Sequence, residues 1–354
     1  MNIATTSPNA FVGCLLGTAV GDALGLPYEG LSPRRAAKMF PNNSKHHFLF
    51  GKGMVSDDTE HACFVAQALI RSRGDVDEFQ KHLARSLRWW LLGLPAGVGF
   101  ATLRSILHLW IGISPRKSGV FSAGNGPAMR SPILGLAFGH STNHLKEYVR
   151  ASTVITHSDP KAYYGAMAIA LAAYQSANTE TPSAESFHEN LARLLQNEPA
   201  DELLDLVTRA AESVGKGECV SDFAQSIGSR KGISGYIYHT VPCLLHVWFR
   251  NSGDFDNGVR EIIAAGGDTD TTAAILGGIV GARVGKDGIP ESWLSNIVEW
   301  PRSTGWIERL GKVMAANAAH AKCPGYFVPV ILIRNIVFLL AVLAHGFRRL
   351  APPY

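Results

Sequence analysis

Cysteine is scarce in this chain and shows no pairing pattern. Cys14, Cys63, Cys219, Cys243 and Cys323 form an odd set without C-x-x-C or zinc-ligand spacing. This excludes a disulfide framework, and the five read as buried thiols of a reducing compartment. An excess of one charge is also missing: 33 basic residues stand against 29 acidic ones, for a net charge of +4 without a Lys/Arg block. Nothing here suggests a nucleic-acid groove or an acidic tail. Alternating β-branched runs are few, which argues against a sheet. The opening MNIATTSPNAF has no charged region followed by an apolar run, so no secretory signal is expected and the expected location is cytoplasmic.

Helix-forming apolar sequence is plentiful. The 354 residues are 46% hydrophobic and 18% charged, enough to bury a large core. Apolar spacing of three and four predicts helices near 11–25, 59–73, 76–92, 99–111, 126–139, 144–155, 161–177 and 184–195. Further helices are predicted near 200–213, 235–249, 254–265, 270–285 and 291–298. The expected fold class is all-α. No Pro/Ser-rich linker divides residues 1–322, so a single domain is expected there. Residues 323–354 form an apolar C-terminal extension, with about twenty mostly apolar residues, long enough for a membrane span. Arg334 and Asn335 lie in its middle, where a charge is costly in lipid. A helix docked on the domain or on a second copy, giving a homo-oligomer contact, is therefore expected over a membrane span.

Two glycine ladders stand out. Gly13, Gly17, Gly21 and Gly25 recur every fourth residue, and Gly277, Gly281 and Gly285 repeat the spacing. Residues four apart share a helix face, so each ladder offers a bare stripe to a neighbouring backbone. The first helix is expected to stop near Gly25, delivering Glu29 just beyond its end.

The stretch GGDTDTTAAILGG (266–278) places Asp268 and Asp270 at the mouth of an apolar helix. Ser56, Asp57, Asp58 and Thr59 precede another. Either cluster alone is explained by helix capping, since Ser, Thr and Asp suit a helix N-terminus. Capping needs only one acceptor per helix, whereas here adjacent carboxylates come with the hydroxyls of Ser56, Thr59, Thr269 and Thr271. Four carboxylates, a fifth from Glu29, and no nearby Cys or His make an all-oxygen set. Such a set suits two hard cations, Mg²⁺ or Mn²⁺, that would orient substrate oxygens and activate a water.

Five segments together carry a resemblance. They are GCLLGTAVGDALGLPYEG (13–30), SDDTEHA (56–62), SAGNGPAMRSPILGLAF (122–138), ASTVITHSDPKAYYGAMAIALAA (151–173) and AAGGDTDTTAAILGGIVGARVG (264–285). In this order they resemble the ADP-ribosylglycohydrolases, of the dinitrogenase-reductase-activating glycohydrolase type. The resemblance implies a compact all-α orthogonal bundle around a binuclear Mg²⁺ or Mn²⁺ centre. It implies ligands Ser56, Asp57, Asp58, Asp268, Asp270 and Thr271, with Glu29, Asp58 and Asp268 in catalytic roles. Gly124, Asn125 and Gly126 would contact the diphosphate of ADP-ribose, at a glycine turn opening a helix, and His157 would line the ligand site. In isolation AGNGP is an ordinary turn and His157 a core or capping residue. Arg130 and Met129 read as scaffold, and Asp159 as a helix start.

The reaction implied is hydrolysis of the glycosidic bond of an ADP-ribosyl group, carried by a protein or a small conjugate. One departure bears on linkage. Members acting on arginine-linked ADP-ribose commonly carry an aspartate after the W-W helix, where LPAGVGFAT (94–102) has Gly97. A binuclear-metal phosphohydrolase acting on a nucleotide diphosphate, and a non-catalytic ADP-ribose-binding relative, are the alternative readings.

Overall fold

A computed structural model describes residues 7–179, 182–316 and 322–352. In chain order come α1 (Pro8–Gly25), a 3-10 turn (Leu26–Tyr28), α2 (Pro33–Met39), α3 (Asp57–Ser72), α4 (Val76–Leu92) and α5 (Phe100–Trp110). The middle of the chain forms α6 (Gly126–Met129), α7 (Pro132–Phe138), α8 (Thr142–Val154), α9 (Pro160–Asn178), α10 (Ala184–Leu194) and α11 (Asp201–Gly215). The last third holds α12 (Val220–Ser226), α13 (Ile237–Asn251), α14 (Phe255–Ala264), α15 (Thr269–Val284), α16 (Glu291–Ser295), α17 (Thr304–Ala316) and α18 (Val330–Arg348). Among the described residues, β structure is limited to isolated bridges.

The all-α expectation holds, with corrections at punctuation points. The single helix expected over 126–139 is two, because Pro132 lacks the N–H that a continuous helix would need and instead starts α7. Helices α2, α12 and α17 were not expected; the first two are seven residues long, too short for a clear apolar period. The five cysteines are all free, but only Cys14, Cys63 and Cys243 are buried; Cys219 is exposed and Cys323 half-buried, correcting the expectation of five buried thiols.

α1 and α15 are apolar on all sides and buried on nearly all, as such helices must be. They form the antiparallel spine of the bundle, and the glycine ladders explain their closeness. A Cβ added at Gly13 would sit 2.1 Å from the Gly281 carbonyl oxygen, one at Gly17 2.1 Å from that of Gly277, and one at Gly21 1.9 Å from that of Ala273. The pairing runs on to Gly25, whose added Cβ would meet the Thr269 oxygen at 2.2 Å. Antiparallel register therefore brings the C-terminus of α1 against the N-terminus of α15. Glu29 and the D-T-D-T stretch meet at that end.

Candidate active site

The third contributor, α3, is fixed to this end by Asp22, wholly buried inside the first glycine ladder. Its carboxylate accepts the Ser56 N–H at 2.9 Å on each oxygen, the Thr59 N–H at 3.1 Å and the Thr59 hydroxyl at 2.5 Å. Asp22 thus caps α3 from another helix and satisfies donors that a helix N-terminus leaves open. Burial pushes its carboxyl up to about 6 despite these donors. Sequence reasoning missed Asp22. The available signal was a lone carboxylate in an otherwise apolar glycine-stripe helix.

Asp58 joins the two acidic clusters. Its Oδ2 accepts the Ser56 hydroxyl at 3.1 Å and the Thr271 hydroxyl at 3.3 Å, linking residues 213 positions apart. Its Oδ1 is buried with no hydrogen-bond partner. Asp270 Oδ1 accepts the N–H of Thr271 at 2.9 Å. Burial first, and then neighbouring carboxylates, hold Asp57, Asp58 and Asp270 well above the usual carboxylate range. An orphaned, buried carboxylate oxygen among other acids is costly, and a hard cation is the partner this donor chemistry suits. Among the described residues, no three His, Cys, Asp or Glu side chains converge on one point as they stand.

Glu29 opens on the same space. Backbone pairing holds its segment to the glycine turn, with the Gly30 N–H donating to Gly267 O at 2.7 Å and the Gly267 N–H to Leu31 O at 3.1 Å. Gly266 and Gly267 have φ of +69° and +88°, a region that favours glycine. Loss of solvent and then Asp268 push the Glu29 carboxyl up, while Arg349 pulls it down.

The opposite wall is built from loops laced by single bridges. Val120 pairs with His157, Gly124 with Tyr236, and Ile233 with Gly267. Asn125 Nδ2 donates to Asp268 Oδ2 at 2.7 Å and lies 3.1 Å from the Thr240 hydroxyl, so the G-N-G loop touches the D-T-D-T element directly. His157 explains the two glycines. A Cβ on Gly124 would lie 2.9 Å from its Nε2, and one on Gly126 3.0 Å from its Cε1. The Asn125 N–H is committed to Gly235 O at 3.0 Å. Segment 229–234, which leads into this wall, gave no recognisable sequence signal.

Arg130 is scaffold, as expected. Fully buried, it donates to the Ser152 hydroxyl and carbonyl, the Thr156 hydroxyl and Gly126 O, tying the loop to the His157 segment. Burial and then Arg130 lower His157 to about 3, so the imidazole is neutral. Asp159 caps α9 through the Lys161 N–H and does not line the cleft.

The result is a cleft of about 420 Å³. Glu29, Asp57, Asp268, Asp270 and Thr271 line one end of it, and Gly124, Asn125, Gly126 and His157 the other. Ser56 and Asp58 lie buried beneath the carboxylate end. Met129 lines the cleft too, beyond the packing role expected of it. Gly97 lines the cleft with φ +80° and open space around it, and as a glycine it brings no carboxylate there.

The chain matches known proteins over most of its length. The ADP-ribosylglycohydrolase family model matches residues 4–324. An uncharacterized protein of Archaeoglobus fulgidus is 31% identical, over 81% of this chain and 91% of that protein. The ADP-ribosyl-[dinitrogen reductase] glycohydrolase of Rhodospirillum rubrum is 27% identical, over 81% of this chain and 89% of its own. ADP-ribosylhydrolase ARH3 of Homo sapiens is also 27% identical, over 82% and 89%. Equal similarity to these last two does not single out the dinitrogen-reductase type suggested by the sequence motifs. Among solved structures, one described as an ADP-ribosylglycohydrolase-related protein complex superposes with a TM-score of 0.64 at 25% identity, covering 88% of this chain and 98% of that one. With its glycine-stripe spine and its acidic cleft, the chain belongs to the ADP-ribosylglycohydrolase family, whose named relatives here are ADP-ribosyl hydrolases.

Proposed function

We propose that this protein is a metal-dependent hydrolase that cleaves the glycosidic bond of an ADP-ribosyl group. The observation that carries the reading is Asp58, which receives the hydroxyls of both Ser56 and Thr271 and keeps one buried oxygen unpartnered at the floor of the cleft. Ser56, Asp57, Asp58, Asp268, Asp270 and Thr271 would hold two Mg²⁺ or Mn²⁺ ions there. When bound, such ions polarise sugar hydroxyls and lower the pKa of a water.

The protein's own groups divide the remaining work. Glu29 faces the cleft with a carboxyl raised from its ordinary value, which suits it to take a proton from water and pass it to the leaving group. Asp58 is buried below the cleft surface, so its contribution is to hold a cation rather than to exchange protons with substrate. Asp268, with one oxygen fixed by Asn125, orients the acidic end against the G-N-G wall. His157 stays neutral and supports that wall, against which the diphosphate would lie.

Defined ADP-ribosyl conjugates incubated with Mg²⁺ or Mn²⁺ test the reading. ADP-ribose is the expected product, and the Asp268→Asn/Asp270→Asn double variant should release none. Release of AMP or phosphate instead would move the chain to the phosphohydrolase reading. Undiminished turnover in the double variant would remove the metal assignment.

A further inference from the structure

The family match stops at residue 324, before α18 begins. Yet α18 packs against two of the segments that build the carboxylate end of the cleft, those leading to Ser56 and to Glu29. Arg334 Nη2 donates to Val55 O at 2.5 Å, next to Ser56, and both Nη2 and Nε bond the Glu299 carboxylate. Asn335 Nδ2 donates to Gly93 O at 2.7 Å, four residues before Gly97. His345 Nε2 lies 2.9 Å from Pro27 O. Arg349, at the end of the helix, donates from Nη1 to Glu29 O at 2.7 Å and from Nη2 to Pro27 O at 2.9 Å. Phe338 and Ala341 complete the dock in a small apolar cluster with Leu26, Phe48 and Met54, separate from the main core.

Between α18 and the acids lies a second cavity of about 140 Å³. It shares Glu29, Asp57, Gly97 and Asp270 with the main cleft, and its far wall is Phe338, Val342, His345 and Arg349. A substrate whose diphosphate lies toward His157 and whose anomeric carbon sits over the acids would point its leaving group into this cavity.

We propose that α18 is the leaving-group wall of the active site, and that Arg349 is a specificity-determining residue favouring a leaving group that departs through oxygen over a cationic guanidinium. The inference rests on the hydrolase reading above. During hydrolysis the water oxygen bonds to C1 as the bond from C1 to the leaving oxygen breaks, and the water's proton passes by way of Glu29 to that oxygen. Negative charge developing on the departing oxygen is stabilised by the Arg349 guanidinium. A departing guanidinium would face that cation, with no carboxylate at Gly97 to receive it. Arg349 acts through charge and through its hold on the Glu29 segment.

The test uses the full-length protein and two peptides that differ only in serine-linked or arginine-linked ADP-ribose. The wild type should prefer the serine linkage. Arg349→Gln keeps a donor for the carbonyls of Pro27 and Glu29 but removes the charge; it should narrow the preference about tenfold, as expected for one charge acting across a few ångströms of partly solvated protein. Arg349→Lys should retain most of the preference. ADP-ribose, which has no leaving group, should still bind both variants by calorimetry, and thermal unfolding should show both folded. An unchanged ratio in folded Arg349→Gln, or a wild type preferring arginine linkage, overturns the inference while leaving the hydrolase reading intact. A wild type that neither binds nor releases ADP-ribose removes the reading and, with it, this inference.

Discussion

Asp22 accepts four hydrogen bonds in the last turn of an apolar helix. Replacing it with alanine leaves the Ser56 and Thr59 donors buried without partners. Each such donor costs about 1–3 kcal/mol, so Asp22→Ala should lose roughly 3 kcal/mol or more in denaturant unfolding, whereas Asp22→Asn, which keeps one acceptor oxygen, should lose less. A loss below 1 kcal/mol in Asp22→Ala would show that the cap from α1 does not set the position of α3. His157 gives a pH test at the same scale. Its folded-state pKa of about 3 lies below the ordinary 6.5, so the unfolded chain binds the extra proton between those values. Stability from this group is complete above pH 6.5 and is lost as pH falls toward 3. Unfolding of wild type and His157→Gln at pH 7.5 and pH 5 should show the larger loss on acidification in wild type; equal losses would mean the imidazole is already protonated when folded. Neither role was legible in the sequence. A single Asp between Gly21 and Ala23 has no periodic partner, and the neutrality of His157 comes first from burial and then from Arg130, both of which depend on tertiary packing.

At the scale of elements, the glycine ladders were legible because spacing of four on one helix face is a local property with one physical use. Their consequence was not, since only the antiparallel register brings the Glu29 and D-T-D-T ends together. Gly17→Ala and Gly21→Ala test that register. Each new Cβ would fall about 2 Å from a backbone oxygen of α15, and backbone cannot step aside as a side-chain tip can. Overpacking of this kind costs typically 1–3 kcal/mol and can exceed it, enough to lower the melting temperature by several degrees. Gly215, inside α11 with open space where its Cβ would be, is the control. Alanine there should be neutral or stabilising by up to about 1 kcal/mol. If Gly17→Ala melts like Gly215→Ala, the spine is not packed backbone to backbone. The dock of α18 was foreshadowed by Arg334 and Asn335, polar residues in an apolar run. Their partners, Glu299 and Gly93 O, carry no sequence mark that pairs them in advance.

For the whole molecule, the governing fact is that α1, α3 and α15 converge through apolar packing while delivering carboxylates to one place. The core therefore stabilises an arrangement whose acidic end opposes it. Asp57, Asp58 and Asp270 are all raised by burial and then by neighbouring carboxylates, so without a counterion the native state carries an electrostatic cost that the unfolded chain escapes. A divalent cation bound only by the folded state would reverse that balance by mass action, adding about 2.7 kcal/mol at a hundredfold excess over Kd. Metal-stripped protein at pH 7.5 should accordingly gain several degrees in melting temperature on addition of Mg²⁺ or Mn²⁺, and lose the gain on chelation. Ca²⁺, larger and with longer bonds to oxygen, should give a different increment. In the Asp268→Asn/Asp270→Asn variant the two effects separate: lower negative charge should make the metal-free protein at least as stable as wild type, while the response to Mg²⁺ should shrink or vanish. A variant that gains as much from Mg²⁺ as wild type does would place the cations elsewhere, and the convergence of the three helices would then need another explanation than metal binding.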